Sequence, residues 1–158
     1  FSSATSSSGT PSTTNGGTNW SSTANIETST GATNVTIKSF GNTVLTGYHK
    51  SGTGLRLAKS TDGGKTWSAT NSPNTTITNA DLLNFDAYDT STYYYGYYDG
   101  STHVSYARTA NGGSSWATKT IDSTTYSVFG PVDVAPISTS TAYFCYYNGD
   151  LKFARTVD

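Results

Sequence analysis

Apolar and polar residues alternate in short runs along most of the chain, and nowhere recur with the spacing of a helical face. Leu55-Arg56-Leu57-Ala58-Lys59, Val104-Ser105-Tyr106-Ala107-Arg108 and Leu151-Lys152-Phe153-Ala154-Arg155 each read apolar, polar, apolar, Ala, basic. Each follows a more apolar run: Val44-Leu45-Thr46-Gly47-Tyr48, Tyr93–Tyr98, and residues 142–147. Asp99-Gly100 and Asn148-Gly149 separate the later pairs, with His49-Lys50-Ser51-Gly52 as the divergent first version. Such dipeptides between alternating runs mark hairpins. Val35-Thr36-Ile37, Leu83-Asn84-Phe85-Asp86 and Pro131-Val132-Asp133-Val134 precede these hairpins as first strands, and residues 68–78 and 117–126 follow as fourth strands. The pattern predicts an all-β chain built from units of four antiparallel strands.

The turn into each fourth strand repeats. Ser60-Thr61-Asp62-Gly63-Gly64-Lys65-Thr66-Trp67 is echoed by Thr109-Ala110-Asn111-Gly112-Gly113-Ser114-Ser115-Trp116 and by Thr13-Thr14-Asn15-Gly16-Gly17-Thr18-Asn19-Trp20. Thr156-Val157-Asp158 matches the opening of a fourth copy. The period is about 47 to 49 residues, a length characteristic of propeller blades. Adjacent glycines supply left-handed backbone, a short Asp or Asn side chain accepts the turn's own amides, and the Trp fills space between sheets. Because Asp62 is replaced by Asn15 and Asn111, the shared requirement is an acceptor rather than a charge. Ser60, Asp62, Gly64, Trp67, Asn111, Gly113, Trp116, Asn15, Gly17 and Trp20 are therefore read as structural.

These eight-residue segments resemble the Asp-box, or bacterial neuraminidase repeat, of sialidase-type β-propellers, and through its period the resemblance spans nearly the whole chain. It implies antiparallel four-stranded β-propeller blades, about three per chain, with boxes away from the active-site face. Three blades do not close a ring, which takes 4–8. The expectation is a ring completed by another copy or by further sequence. The Ser/Thr-rich residues 1–30, with a degenerate box and an outer strand, would complete a blade, and residues 31–158 would form the repeats.

Composition narrows the function classes. The 158 residues carry a net charge of −1 with 12% charged residues and no basic run, which argues against nucleic acid. No run is long and apolar enough to span a membrane. Ser and Thr make up roughly a third of the chain, an uncharged polar surface that favours a secreted or cell-surface location. Asn19, Asn34 and Asn74 fit the N-glycosylation pattern, which so Asn- and Thr-rich a chain also yields by chance. Cys145 is the single cysteine and reads as a small buried apolar residue. His49 and His103 lack ligand spacing and read as surface residues, and neither a metal nor a cofactor is called for.

A sialidase site, by the resemblance, would need three convergent arginines, a Tyr–Glu pair and an acid Asp. Arg56, Arg108 and Arg155 all lie in third strands, and Glu27 is the only glutamate. Lys38, Asp86 and Asp133 are read as equivalent first-strand positions converging on one mouth. The two aspartates serve either as a carboxylate pair or, the favoured reading, as acceptors of backbone hydrogen bonds from a neighbouring blade. Tyr88 and the tyrosines of residues 93–98 and 143–147 suit stacking on sugars, although most belong to a core. The reading favoured is a non-catalytic module for recognition of a glycan or cell-surface polysaccharide, or for surface assembly. The alternative is part of a sialidase-like or other glycoside hydrolase.

Overall fold

The computed structural model describes residues 13, 15–19, 25–26, 31–69, 72–73, 83–99, 103–125 and 129–157. Trp20, Glu27 and Asn74 lie outside them, as does most of residues 1–30. The described residues form strands and turns without a helix, so none forms a helix that could cross a membrane.

Three antiparallel meanders follow one another. The first sheet joins β1 (Ala32–Phe40), β2 (Thr43–Lys50), β3 (Gly54–Ser60) and the short β4 (Ser68–Ala69) in that order. The second joins β5 (Asn84–Ala87), β6 (Tyr93–Tyr98), β7 (Val104–Thr109) and β8 (Ala117–Asp122). The third joins β9 (Phe129–Pro136), β10 (Thr141–Asn148) and β11 (Asp150–Val157). The four-strand expectation thus holds for two sheets, and β8 ends earlier than residue 126. The sheets form an open stack rather than a closed ring.

The middle sheet explains the run Tyr-Tyr-Tyr-Gly-Tyr-Tyr in β6. Successive side chains of a strand point to opposite faces, and here both faces are covered. Tyr93, Tyr95 and Tyr97 join Leu45, Leu55 and Leu57 in a core shared with the first sheet. Tyr94 and Tyr98 join Val132, Val134 and Phe144 in a second core shared with the third.

Glycines in the second strands set how closely sheets approach. A methyl group at Gly47 would lie 2.6 Å from Phe85 Cβ, and one at Gly96 would lie 2.7 Å from Val132 Cγ1. In each case a residue of the following sheet's first strand occupies the space. Among the described residues nothing covers the outer faces of the end sheets in this way, and Val35, Ile37, Leu151 and Phe153 are exposed.

Candidate functional site

The box turns have one geometry in three copies. Ser60 Oγ donates to Asp62 Oδ1 at 2.8 Å, Gly64 N–H donates to Ser60 Oγ at 2.7 Å, and Thr66 N–H donates to Asp62 Oδ1 at 2.9 Å. Thr109, Asn111, Gly113 and Ser115 repeat these bonds at 2.9, 3.0 and 2.9 Å. Thr13, Asn15, Gly17 and Asn19 do so at 2.9, 2.9 and 3.0 Å. The paired glycines take φ values of 74° and 87°, 70° and 89°, and 67° and 90°, the left-handed region that glycine enters without steric cost. A neutral Asn performs every shared acceptor role.

Charge adds one feature in the central copy. The Thr66 hydroxyl donates to Asp62 Oδ2 at 2.6 Å. That bond and the Thr66 amide hold the Asp62 carboxyl well below the usual carboxylate range. A depressed folded pKa contributes stability that is present above the unfolded value near 3.8 and lost as pH falls through it. Asp122 behaves alike, chiefly because Lys152 Nζ lies 2.8 Å from its Oδ2, joining β8 to β11. Asp62→Asn is therefore expected to fold, to lose only a few degrees of Tm at neutral pH, and to show a flatter acid limb below about pH 4. Thermal melts from pH 2 to 7 check this. A collapse of the fold at neutral pH would contradict the turn-making role.

The first strands of the three sheets lie side by side and frame an open groove of about 430 Å³. Asn34, Val35 and Thr36 of β1, Leu83 and Asn84, and Pro131, Val132 and Asp133 of β9 line it. Asn34 takes a positive φ of 51° where the β1–β2 register shifts, a bulge that an Asn tolerates better than most residues.

The named carboxylates act as ties between sheets. Asp86 Oδ1 lies 2.8 Å from Lys38 Nζ of β1, and Asp133 Oδ1 accepts a bond from the Asn84 amide of β5. The supposed equivalence of Asp86 and Asp133 fails. Lys38, Asp86 and Ala135 pair opposite Leu45, Tyr94 and Tyr143, whereas Asp133 pairs opposite Cys145 and so matches Asn84. Asp133 thus stands two residues from the position of Asp86, on the same face but one step further along the first strand. Tyr88 stands just beyond β5 and is 42% exposed.

The arginines do not converge. Arg108 Nε donates to the Thr139 carbonyl at 3.2 Å, and Lys59 Nζ makes the equivalent bond to the Thr90 carbonyl at 3.1 Å. The basic residue before each box thus clamps the turn of the following sheet. Its recurrence beside a recurring Thr was the available sequence signal, but only the stacking reveals its target. Arg56 Nε instead turns back to Thr53 Oγ1 at 3.3 Å.

Most tyrosines belong to the cores, and among those examined as sugar platforms only Tyr88 and Tyr147 are exposed. Two single-residue expectations are corrected. His49 is buried, because it lies on the covered side of β2 within reach of Thr33. Cys145 is exposed, because it lies on the outer face of the third sheet. Among the described residues no group of three His, Cys, Asp or Glu could hold a metal.

No protein-family model, no curated protein and no solved structure matches this chain.

Proposed function

We propose that the chain is a secreted or cell-surface, non-catalytic recognition module. Its three sheets serve as blades of an Asp-box β-propeller, which is completed by other copies or by a longer chain. The observation that carries this reading is the groove along the first strands. It presents amide and hydroxyl groups (Asn34, Thr36, Asn84) beside apolar ones (Pro131, Val132), with an exposed tyrosine close in sequence at position 88. Few convergent polar groups on an apolar floor suit a neutral saccharide. The two carboxylates that a glycosidase would deploy are each engaged with a partner on the neighbouring sheet.

A glycan array run beside a panel of fluorogenic glycosides tests the reading. Binding without turnover, weakened by Asn84→Ala, is expected. Turnover abolished by Asp86→Asn or Asp133→Asn would overturn it in favour of a glycoside hydrolase.

A further inference from the structure

Each joint between sheets uses the same set of contacts. A basic residue before the box reaches the carbonyl of the next sheet's first turn: Lys59 to Thr90 and Arg108 to Thr139. The box's first glycine donates its N–H to the first turn of its own sheet, Gly63 to Asn42 and Gly112 to Ser91, both at 2.8 Å. The box Trp116 lies 5.6 Å from the Tyr95 ring and packs on the core that contains Leu57, Tyr95 and Ala107. An apolar side chain of the following first strand fills the space over Gly47 or Gly96.

The third sheet presents the same surface with no following sheet among the described residues. Arg155 pairs opposite Tyr143 as Lys59 pairs opposite Leu45, and Ser140 stands where Asn42 and Ser91 stand. Tyr106, Phe144 and Ala154 match Leu57, Tyr95 and Ala107 by register, and they line an open cavity of about 360 Å³ reaching from β8 to β11. Leu151 and Phe153, 77% and 68% exposed, lie on the other, outer face of β11, whose far edge is unpaired among the described residues.

The opposite end of the stack carries the counterpart. Ile37 stands at the register position of Phe85, Val35 lies two residues before it, and both are more than 60% exposed at 69% and 62%. Gly41 occupies the place of Thr90. Ahead of β1 the Thr13–Asn19 turn is a formed box that has no third strand among the described residues. Its separation from β1 resembles that of Trp116 from β9, so it fits the sheet that would precede the first one.

We propose that a second copy of this chain docks head-to-tail on the third sheet. Its Thr13–Asn19 turn, followed in sequence by Trp20 as the counterpart of Trp116, completes the open third sheet beside β11, and its Val35 and Ile37 cover Cys145 and Phe153. Arg155 then donates to the Gly41 carbonyl of the second copy, and that copy's Gly16 N–H donates to the Ser140 carbonyl. The joint is continuous in kind with the two joints inside the chain. A heterologous contact of this sort either closes into a ring or propagates.

Sedimentation of the intact chain from micromolar to near-millimolar concentration tests the inference. Association is expected, and Ile37→Asp, Phe153→Asp and Trp20→Ala should each weaken it by about tenfold or more. The first two alter exposed side chains, so circular dichroism should report an unchanged fold. An equimolar mixture of Ile37→Asp and Phe153→Asp should recover one-to-one pairing, because each variant keeps one intact surface. A wild-type chain monomeric throughout, a mixture that fails to pair, or Trp20→Ala associating like wild type would overturn the proposal. Glycan binding by the dissociated Phe153→Asp variant is read separately, so failure of the joint and failure of the recognition reading stay distinguishable.

Discussion

Gly47→Val is expected to lower the unfolding free energy by about 3 kcal/mol. Gly47 is buried in β2, and any side chain there runs into Phe85, whose Cβ would lie 2.6 Å from the new carbon. That separation is far inside van der Waals contact. Relief by rotating Phe85 is blocked, because its ring packs against Tyr95 at 4.9 Å and Tyr93 at 6.1 Å. The first and second sheets must then separate, and the shared core loses contacts on both sides. Urea unfolding measures the loss. Pairing Gly47→Ala with Phe85→Ala should give a double variant less damaged than the sum of the singles, since truncating Phe85 removes the clashing Cγ and Cδ2 and leaves only Cβ, which the backbone can move without a ring to carry. Additive losses would mean that the two residues do not meet.

Tyr95→Ala is expected to cost about 4 kcal/mol, while Tyr95→Phe should cost about 1 kcal/mol. The ring is fully buried, lies 4.9 Å from Phe85 and 5.6 Å from Trp116, and so touches strand β5 and the box of its own sheet. Its hydroxyl donates to the Arg56 carbonyl of β3, the one polar bond this side chain makes across the joint. Removing the ring leaves a cavity between Phe85 and Trp116, which cannot both collapse into it. Removing only the hydroxyl leaves an unpaired carbonyl near the half-exposed Arg56, where water can reach it. Chemical denaturation of both variants separates the two effects. Equal losses for Phe and Ala would place the stabilisation in the hydrogen bond instead of the ring.

Much of the fold was legible because its signals are local. Alternation, Asp/Asn-Gly turns and the box place the second and third strands of each unit, and the starts of the fourth strands of the first two, within a few residues of where they lie. The substitution of Asp62 by Asn15 and Asn111 anticipated that all three turns use the same acceptor bonds. What escaped depends on register and on neighbours distant in sequence. Asp133 was expected to match Asp86, but pairing with Cys145 sets it two residues out, at the place of Asn84. His49 and Cys145 exchanged their expected environments because burial in a stack depends on which sheet faces the strand, and alternation alone does not encode that. Arg108, whose repeat position argued for a role in blade structure, proves with Lys59 to bond one sheet to the next, a target the sequence did not reveal. The candidate site was legible only in part, since Lys38, Asp86 and Asp133 could be named while Asn84, the partner of Asp133, could not.

The central claim is that three antiparallel sheets, the first two each with a box turn after the third strand, stack in chain order, with the second covered on both faces. Amide hydrogen exchange on the chain diluted until it is monomeric tests this most directly, since protection tracks local burial. The stack predicts slowest exchange in β6 and β7, with β1 and β11 much faster. Equal protection across the three sheets, or slowest exchange in β1 or β11, would contradict it.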